Sequence, residues 1–151
     1  MSVLGSDSPA VRVAPTNSIG PRTVEKQTET AVIRDYLEAW HSLSVAFEQN
    51  RADLLDPNFV GTAKKKLADT ILDQAKLGIQ TRYRDGAHDL QLVFYSPEGL
   101  SIQLLDTVEY DVQVLDHGTL QTTQHVRARY VAVMTPTEVR WKVRVFQAKP
   151  E

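Results

Sequence analysis

The chain has 151 residues, an apolar fraction of 42% and a formal net charge of −2. That is enough apolar material for one domain with a sizeable core, and the near-balanced charge gives no general pull toward nucleic acid or an anionic membrane. It contains no cysteine, which excludes disulfides, thiolate zinc sites, iron–sulfur clusters and cysteine nucleophiles but leaves the compartment open.

Met1 to Thr23 is rich in Ser, Pro, Gly and short polar residues. It has no apolar run long enough for a signal peptide or a membrane span, and reads as a flexible tail before a single domain over residues 24–148. As it stands the chain is expected in the cytoplasm. A tail of this kind is also what remains when an anchor or leader is trimmed, and whether Met1 is native is not written in the sequence.

A first helix is predicted from about Val24 to Gln49. Ile33, Tyr36, Leu37, Trp40, Leu43 and Phe47 recur at spacings of three and four, and Glu25, Glu29 and Asp35 suit the helix dipole. Asn50 and Asp53 are turn and cap residues, and Leu54-Leu55 forms a short helical turn before Pro57. A second helix starts near Thr62, with Leu67, Ile71, Leu72, Ala75 and Ile79 as its apolar stripe and Asp85-Gly86 as the turn that closes the helical region. Lys64, Lys65 and Lys66 read as a solvated helix face.

About four strands come next, between His88 and Gln147. Leu90, Leu92 and Phe94 mark the first. In Leu100 to Asp116 the even positions are Leu100, Ile102, Leu104, Asp106, Val108, Tyr110, Val112 and Val114, while the odd positions are mostly polar. A period of two sends alternate side chains to opposite faces, so this strand has one buried face with Asp106 in the middle of it. The third strand runs from about Thr119 to Met134, and the fourth carries Val139, Trp141, Val143 and Val145 on one face.

Parity sets the register. Both strands around Asp116-His117-Gly118 are apolar at even positions, so the loop holds an odd number of residues. A three-residue loop pairs Leu115 with Thr119, and then Glu109 with His125, Tyr110 with Gln124 and Asp106 with Ala128. A turn centred on Pro136-Thr137 pairs Ala132 with Trp141 and Ala128 with Val145, small opposite large.

Two helices followed by a meandering antiparallel sheet make an α+β domain. The helix with Tyr36-Leu37-Glu38-Ala39-Trp40, the second helix, the long strands and the closing Val139-Arg140-Trp141-Lys142-Val143 resemble the nuclear transport factor 2-like superfamily (NTF2-like, SnoaL-like, cystatin-like cone) over roughly Thr30 to Gln147. The early hairpin that often separates the helices in that superfamily has no counterpart between Leu54 and Thr62. The resemblance implies a curved sheet wrapped around helices and a pocket within it. The superfamily contains ketosteroid isomerase, dehydratases and polyketide cyclases beside non-catalytic transport, secretion and division modules, so one activity does not follow.

Asp106 is the sharpest functional hint. A buried carboxylate whose pKa rises by desolvation makes a useful general acid or base, as in ketosteroid isomerase-like sites; the alternative is an acid satisfied by Tyr130 or a water. Tyr110 and Gln124 share its face, and Tyr36 and Trp40 approach from the first helix, so the six residues Tyr36, Trp40, Asp106, Tyr110, Gln124 and Tyr130 are the expected pocket lining. His41, His88, His117 and His125 are too scattered for a metal site, and a serine-hydrolase elbow, a P-loop and a dinucleotide fingerprint are absent from the sequence. No cofactor and no nucleic acid partner is expected.

The outer sheet face is expected to carry Arg127, Arg129, Arg140, Lys142 and Arg144 beside Glu109 and Asp111. Leu105, Leu115, Val131, Val133 and Phe146 would point outward among them. Interleaved acids and the lack of outward aromatics argue against phosphate or base binding and for cross-strand ion pairs or a homodimer or partner surface, which the resemblance also implies, with Leu105, Glu109, Arg127, Arg129, Val131 and Arg144 as its core. The sequence favours a non-catalytic binding or interaction module, with a pocket for a small hydrophobic ligand. The alternative is a cofactor-free isomerase, dehydratase or cyclase using Asp106 as acid or base.

Overall fold

The computed structural model describes residues 10–15 and 19–149. Among the described residues five strands form one sheet in chain order: β1 (Ala10–Val13), β2 (Ile79–Tyr95), β3 (Ile102–Asp116), β4 (Thr119–Pro136) and β5 (Trp141–Lys149). β1 runs parallel to β2 and the other neighbours are antiparallel. Two helices, α1 (Lys26–Gln49) and α2 (Gly61–Lys76), complete an α+β domain in which the sheet is curved and does not close.

α1 forms where the three-four spacing placed it. Val32, Tyr36, Ala39, Trp40, Leu43, Ala46 and Phe47 are buried along one stripe. Asn50 ends the helix in the left-handed region and donates its N–H to the Ala46 carbonyl. A 3-10 turn at Ala52–Leu55 then buries Leu55 before Pro57. Burying a leucine or phenylalanine of this core contributes about 1.5–3 kcal/mol over leaving it in water.

α2 is shorter than its sequence suggests. It ends at Lys76, because Gly78 takes a positive φ of 71° and its N–H bonds back to the Ala75 carbonyl. The buried stripe is Ala63, Ile71 and Gln74, with Leu67 half-buried; Leu72 and Ala75, expected on it, face solvent. Ile79 opens β2 instead of closing a helix. Residues 79–87, expected as helix end and turn, are therefore strand, and β2 spans 17 residues.

The expected tail is corrected in part. Ala10–Val13 adds a fifth strand against Ala87–Leu90, the Ala14 N–H bonds the Leu90 carbonyl, and Pro21 bridges to Tyr95. Residues 1–9 and 16–18, also assigned to the tail, lie outside the described residues.

Parity holds in the β3–β4 hairpin, but the register is shifted by two. The turn is His117-Gly118 alone, with Asp116 opposite Thr119, and a bulge at Gln121 supplies the odd residue. Asp106 therefore faces Tyr130 rather than Ala128, Tyr110 faces Val126 rather than Gln124, and Glu109 faces Arg127 rather than His125. In the last hairpin Pro136 pairs with Trp141, and a second bulge at Arg144 inverts the phase of the rest of β5. Phe146, expected outward, joins the core opposite Ala132, while Val145 moves outward opposite Val133. A bulge at Val93 likewise turns Phe94 out and Tyr95 in.

Candidate functional site

Three elements bring the buried polar groups together. β3 places Asp106 inward at the centre of the sheet, where it is fully buried. α1 supplies Tyr36, whose Oη donates to Asp106 Oδ2 at 2.7 Å, and Trp40, whose Nε1–H donates to Tyr36 Oη at 3.0 Å. β2 supplies His88, whose Nδ1 lies 2.8 Å from the same carboxylate oxygen. In its Nδ1–H tautomer His88 donates to that oxygen, which then accepts from both neighbours. Asp106 Oδ1 is buried without a hydrogen-bond partner among the described residues.

The phase of β2 that brings His88 to Asp106 depends on Gly86. A bulge falls between Asp85 and Ala87, and a Cβ at Gly86 would fall on the Glu109 carbonyl oxygen. Beyond the bulge His88, Leu90 and Leu92 all point inward and are buried. In the sequence His88 reads as lying ahead of a strand; its spacing of two from Leu90 and Leu92 was the available signal.

Aromatic rings gather around Trp40. Tyr83, Tyr110, Tyr130 and Phe146 all lie with ring centroids 5.5–6.5 Å from it. Tyr130 stacks on Phe146 at 4.6 Å, and its hydroxyl is 3.4 Å from that of Tyr110. A cavity of about 160 Å³ opens among Trp40, Phe47, Tyr83, Tyr130 and Phe146, with Leu43 and Leu67 completing its lining. A larger and more open cleft of about 710 Å³ runs between the end of β1 and the first turns of α1, near Lys26 and Ile33, but neither Trp40 nor any residue of β2–β5 lines it. The smaller cavity is the candidate site, because it meets the inward-facing groups of the sheet.

Burial sets the chemistry of the tyrosines. It pushes the Tyr36 hydroxyl well above its usual pKa of 10, and the neighbouring Asp106 adds to the shift. Tyr83 rises to about 12, first through burial and then through Tyr110. Tyr130 also rises, through burial and its hydrogen bond with Tyr110. All three stay neutral hydroxyls near pH 7.

Of the six expected lining residues, Tyr36, Trp40, Asp106, Tyr110 and Tyr130 converge inside the cone. Gln124 does not: it is exposed, opposite Val112. Neither Tyr36, Asp106 nor His88 lines the aromatic cavity. Tyr36 and His88, not Tyr130, are the partners of Asp106, both through Oδ2. Tyr83, Phe47 and Phe146, which do line the cavity, were missed as site residues. Among the described residues no group of three or more His, Asp or Glu side chains could hold a metal ion.

The outer face differs in detail from expectation. Glu109 faces Arg127, and Leu105 faces Val131. Arg140 instead pairs with Glu38 of α1, Lys142 reaches the Asp56 carbonyl, and Arg144 leaves the ladder at its bulge to bond Ser101. Leu115, expected outward in the patch, is buried outside the main core cluster.

No protein-family model and no curated protein sequence matches the chain. Solved structures do. The intermembrane space region of the chloroplast protein ARC6 superposes with a TM-score of 0.66 at 17% identity, covering 87% of this chain and all of that one. A scytalone dehydratase-like protein of Novosphingobium aromaticivorans gives 0.57 at 10% identity over 83% of this chain and 89% of its own. ActVI-ORFA of Streptomyces coelicolor gives 0.53 at 10% identity over 78% and 95%. The fold is the nuclear transport factor 2-like cone. At these identities the likeness carries the NTF2-like architecture and no chemistry. No helix among the described residues is long and apolar enough to cross a membrane.

Proposed function

We propose that this NTF2-like domain is a non-catalytic binding and interaction module. Its cone takes a small, largely hydrophobic group, and its outer sheet face meets a second copy of the chain or another protein. The observation that carries this reading is the closure of Asp106. A general acid or base must come within hydrogen-bond reach of the proton it moves. Asp106 is fully buried, commits Oδ2 to Tyr36 and His88, and stays out of the cavity lining. The titratable side chains that do line the cavity, Tyr83 and Tyr130, are weak acids with raised pKa values.

The rival is a cofactor-free isomerase, dehydratase or cyclase with Asp106 as acid or base. One observation favours it: Asp106 Oδ1 keeps an unused lone pair in the interior. The two readings part on access. Diethyl pyrocarbonate should carbethoxylate the exposed His41, His117 and His125 while His88 resists. Labelling of His88 in the native protein as fast as the exposed histidines would show an open path to the carboxylate and sink the non-catalytic reading.

A further inference from the structure

We infer that the aromatic cavity is a recognition site for a methylated ammonium group, because five rings wall it, no cationic side chain of the described residues lines it, and a hydrogen-bond relay ties the ring of Trp40 to a buried carboxylate. The inference rests on the reading of the cone as a binding pocket and names the ligand class.

The first support is the arrangement of the rings. Trp40 stands nearly perpendicular to Tyr83 (81°), Tyr130 (90°) and Phe146 (77°), and Phe47 is perpendicular to Tyr83 (82°). In such T-shaped pairs the positive edge of one ring meets the face of the next, and together the five rings line the cavity. Each ring face carries the negative lobe of its quadrupole, so a cation within about 6 Å of the ring centroids gains an attraction that a neutral hydrocarbon of the same shape does not.

The second support is the relay behind Trp40. Its Nε1–H donates to Tyr36 Oη, and Tyr36 donates to Asp106 Oδ2. Hydrogen bonds in series polarise one another. Donation toward a carboxylate leaves the indole richer in electron density, and the carboxylate adds negative potential beyond it. Among the described residues no Lys or Arg side chain lines the cavity to offset this.

The third support is size. A volume of about 160 Å³ at roughly 30 Å³ per water-sized group holds about five heavy atoms. Tetramethylammonium has that many. The cavity is smaller than the roughly 300–1,000 Å³ of sites that engulf a whole drug-sized ligand. The recognised group is therefore a head on a longer molecule. The half-buried Leu67, Tyr83, Tyr130 and Phe146 mark the open side through which the rest would leave.

The test uses the full chain carrying Trp141→Phe, so that Trp40 is the remaining tryptophan reporter. Tetramethylammonium chloride and choline chloride are titrated against sodium chloride at matched ionic strength, beside the neutral isostere of choline in which a tert-butyl carbon replaces the nitrogen. Trp40 fluorescence and ligand-methyl NMR are the readouts. Choline should bind about tenfold or more tightly than its isostere. Phe146→Leu, which keeps apolar bulk and removes a ring, should narrow that gap. If the isostere binds as tightly as choline or better, the site is merely apolar; the ammonium inference then falls and the binding-module reading stands. If none of the three probes binds at millimolar concentration, the inference also falls, and labelling of His88 still decides between module and enzyme.

Discussion

Tyr36 donates its hydroxyl to Asp106 Oδ2 at 2.7 Å, and both side chains are wholly buried. The pair locks α1 to the centre of β3 across 70 residues of sequence. Tyr36→Phe keeps the ring and removes only the hydroxyl. It strips one donor from Asp106 and leaves Trp40 Nε1 without its acceptor. A hydrogen bond to a charged group is worth about 1.5–3 kcal/mol, and urea unfolding should show a loss of that order. A loss below about 0.5 kcal/mol, the range of an ordinary surface change, would mean the relay holds nothing in place.

The tyrosines make an alkaline prediction. Tyr36, Tyr83 and Tyr130 all have pKa values raised by burial. A raised folded-state pKa contributes stability that is fully present below the unfolded value of about 10 and is lost as pH rises through the folded one. For Tyr83 that window runs from about 10 to about 12. Tyrosinate absorbance should therefore lag in the native protein and appear cooperatively as the fold opens. Three tyrosines titrating independently near pH 10 with the circular dichroism unchanged would contradict the buried cluster.

Much of this fold is legible because two periodicities dominate it. Tyr36, Trp40 and Phe47 repeat at the helical spacing, and Leu104, Asp106 and Val108 alternate without a break, so the inward aim of Asp106 could be read directly. Bulges are different: one inserted residue reverses the phase and leaves almost no compositional mark. Gln121 shifted the partner of Asp106, and Arg144 hid the inward turn of Phe146. The first half of β2 does alternate, with Ile79, Thr81 and Tyr83 set against Gln80, Arg82 and Arg84, but it follows directly on a helix and so read as a continuation. Asp35 was taken for a dipole residue, yet it is buried and accepts the Trp141 N–H at 2.9 Å, a long-range contact no local pattern reports.

Gly86 is where the site depends on one missing methyl group. A Cβ there meets the backbone carbonyl of Glu109, which a flexible side chain cannot relieve by moving aside. Gly86→Ala must push β2 from β3 or slip the bulge, and a slip of one residue would turn His88 away from Asp106. Overpacking of this kind costs about 1–3 kcal/mol. Chemical denaturation measures the loss, and the NMR shifts of His88 report its environment. A variant of unchanged stability with His88 shifts intact would show that the close approach is not needed.

His125 sits on the outer face between two acids, its Nδ1 2.8 Å from Asp111 and its Nε2 3.1 Å from Glu109. Both ring nitrogens can donate only in the imidazolium form. Those hydrogen bonds, Asp111 first and Glu109 second, raise its pKa above the usual 6.5. Whatever stability the clamp supplies is thus fully present below about 6.5 and lost as pH rises through the raised value. In an NMR titration Asp111→Asn should lower the His125 pKa, with a smaller drop for Glu109→Gln. A midpoint unmoved by either change would mean the clamp does not form in solution.

The outer face sorts its residues by row. Phe94, Gln103, Val133 and Val145 lie across from one another, and Gln91, Leu105, Val131 and Gln147 form the next row. Beyond them come Thr107 opposite Arg129 and Glu109 opposite Arg127. An apolar band bordered by charges of both signs is what a self-complementary contact needs, since a two-fold axis can lay the band on itself and set acids against the partner's arginines. The predicted assembly is a homodimer through this face. Val131→Glu introduces an uncompensated charge at the centre of the band and should convert dimer to monomer. Arg129→Glu, at the border, should weaken the dimer less and more strongly at low salt. Sedimentation equilibrium at tens of micromolar separates the outcomes: a wild-type monomer, or a dimer indifferent to Val131→Glu, would move any self-association away from this surface.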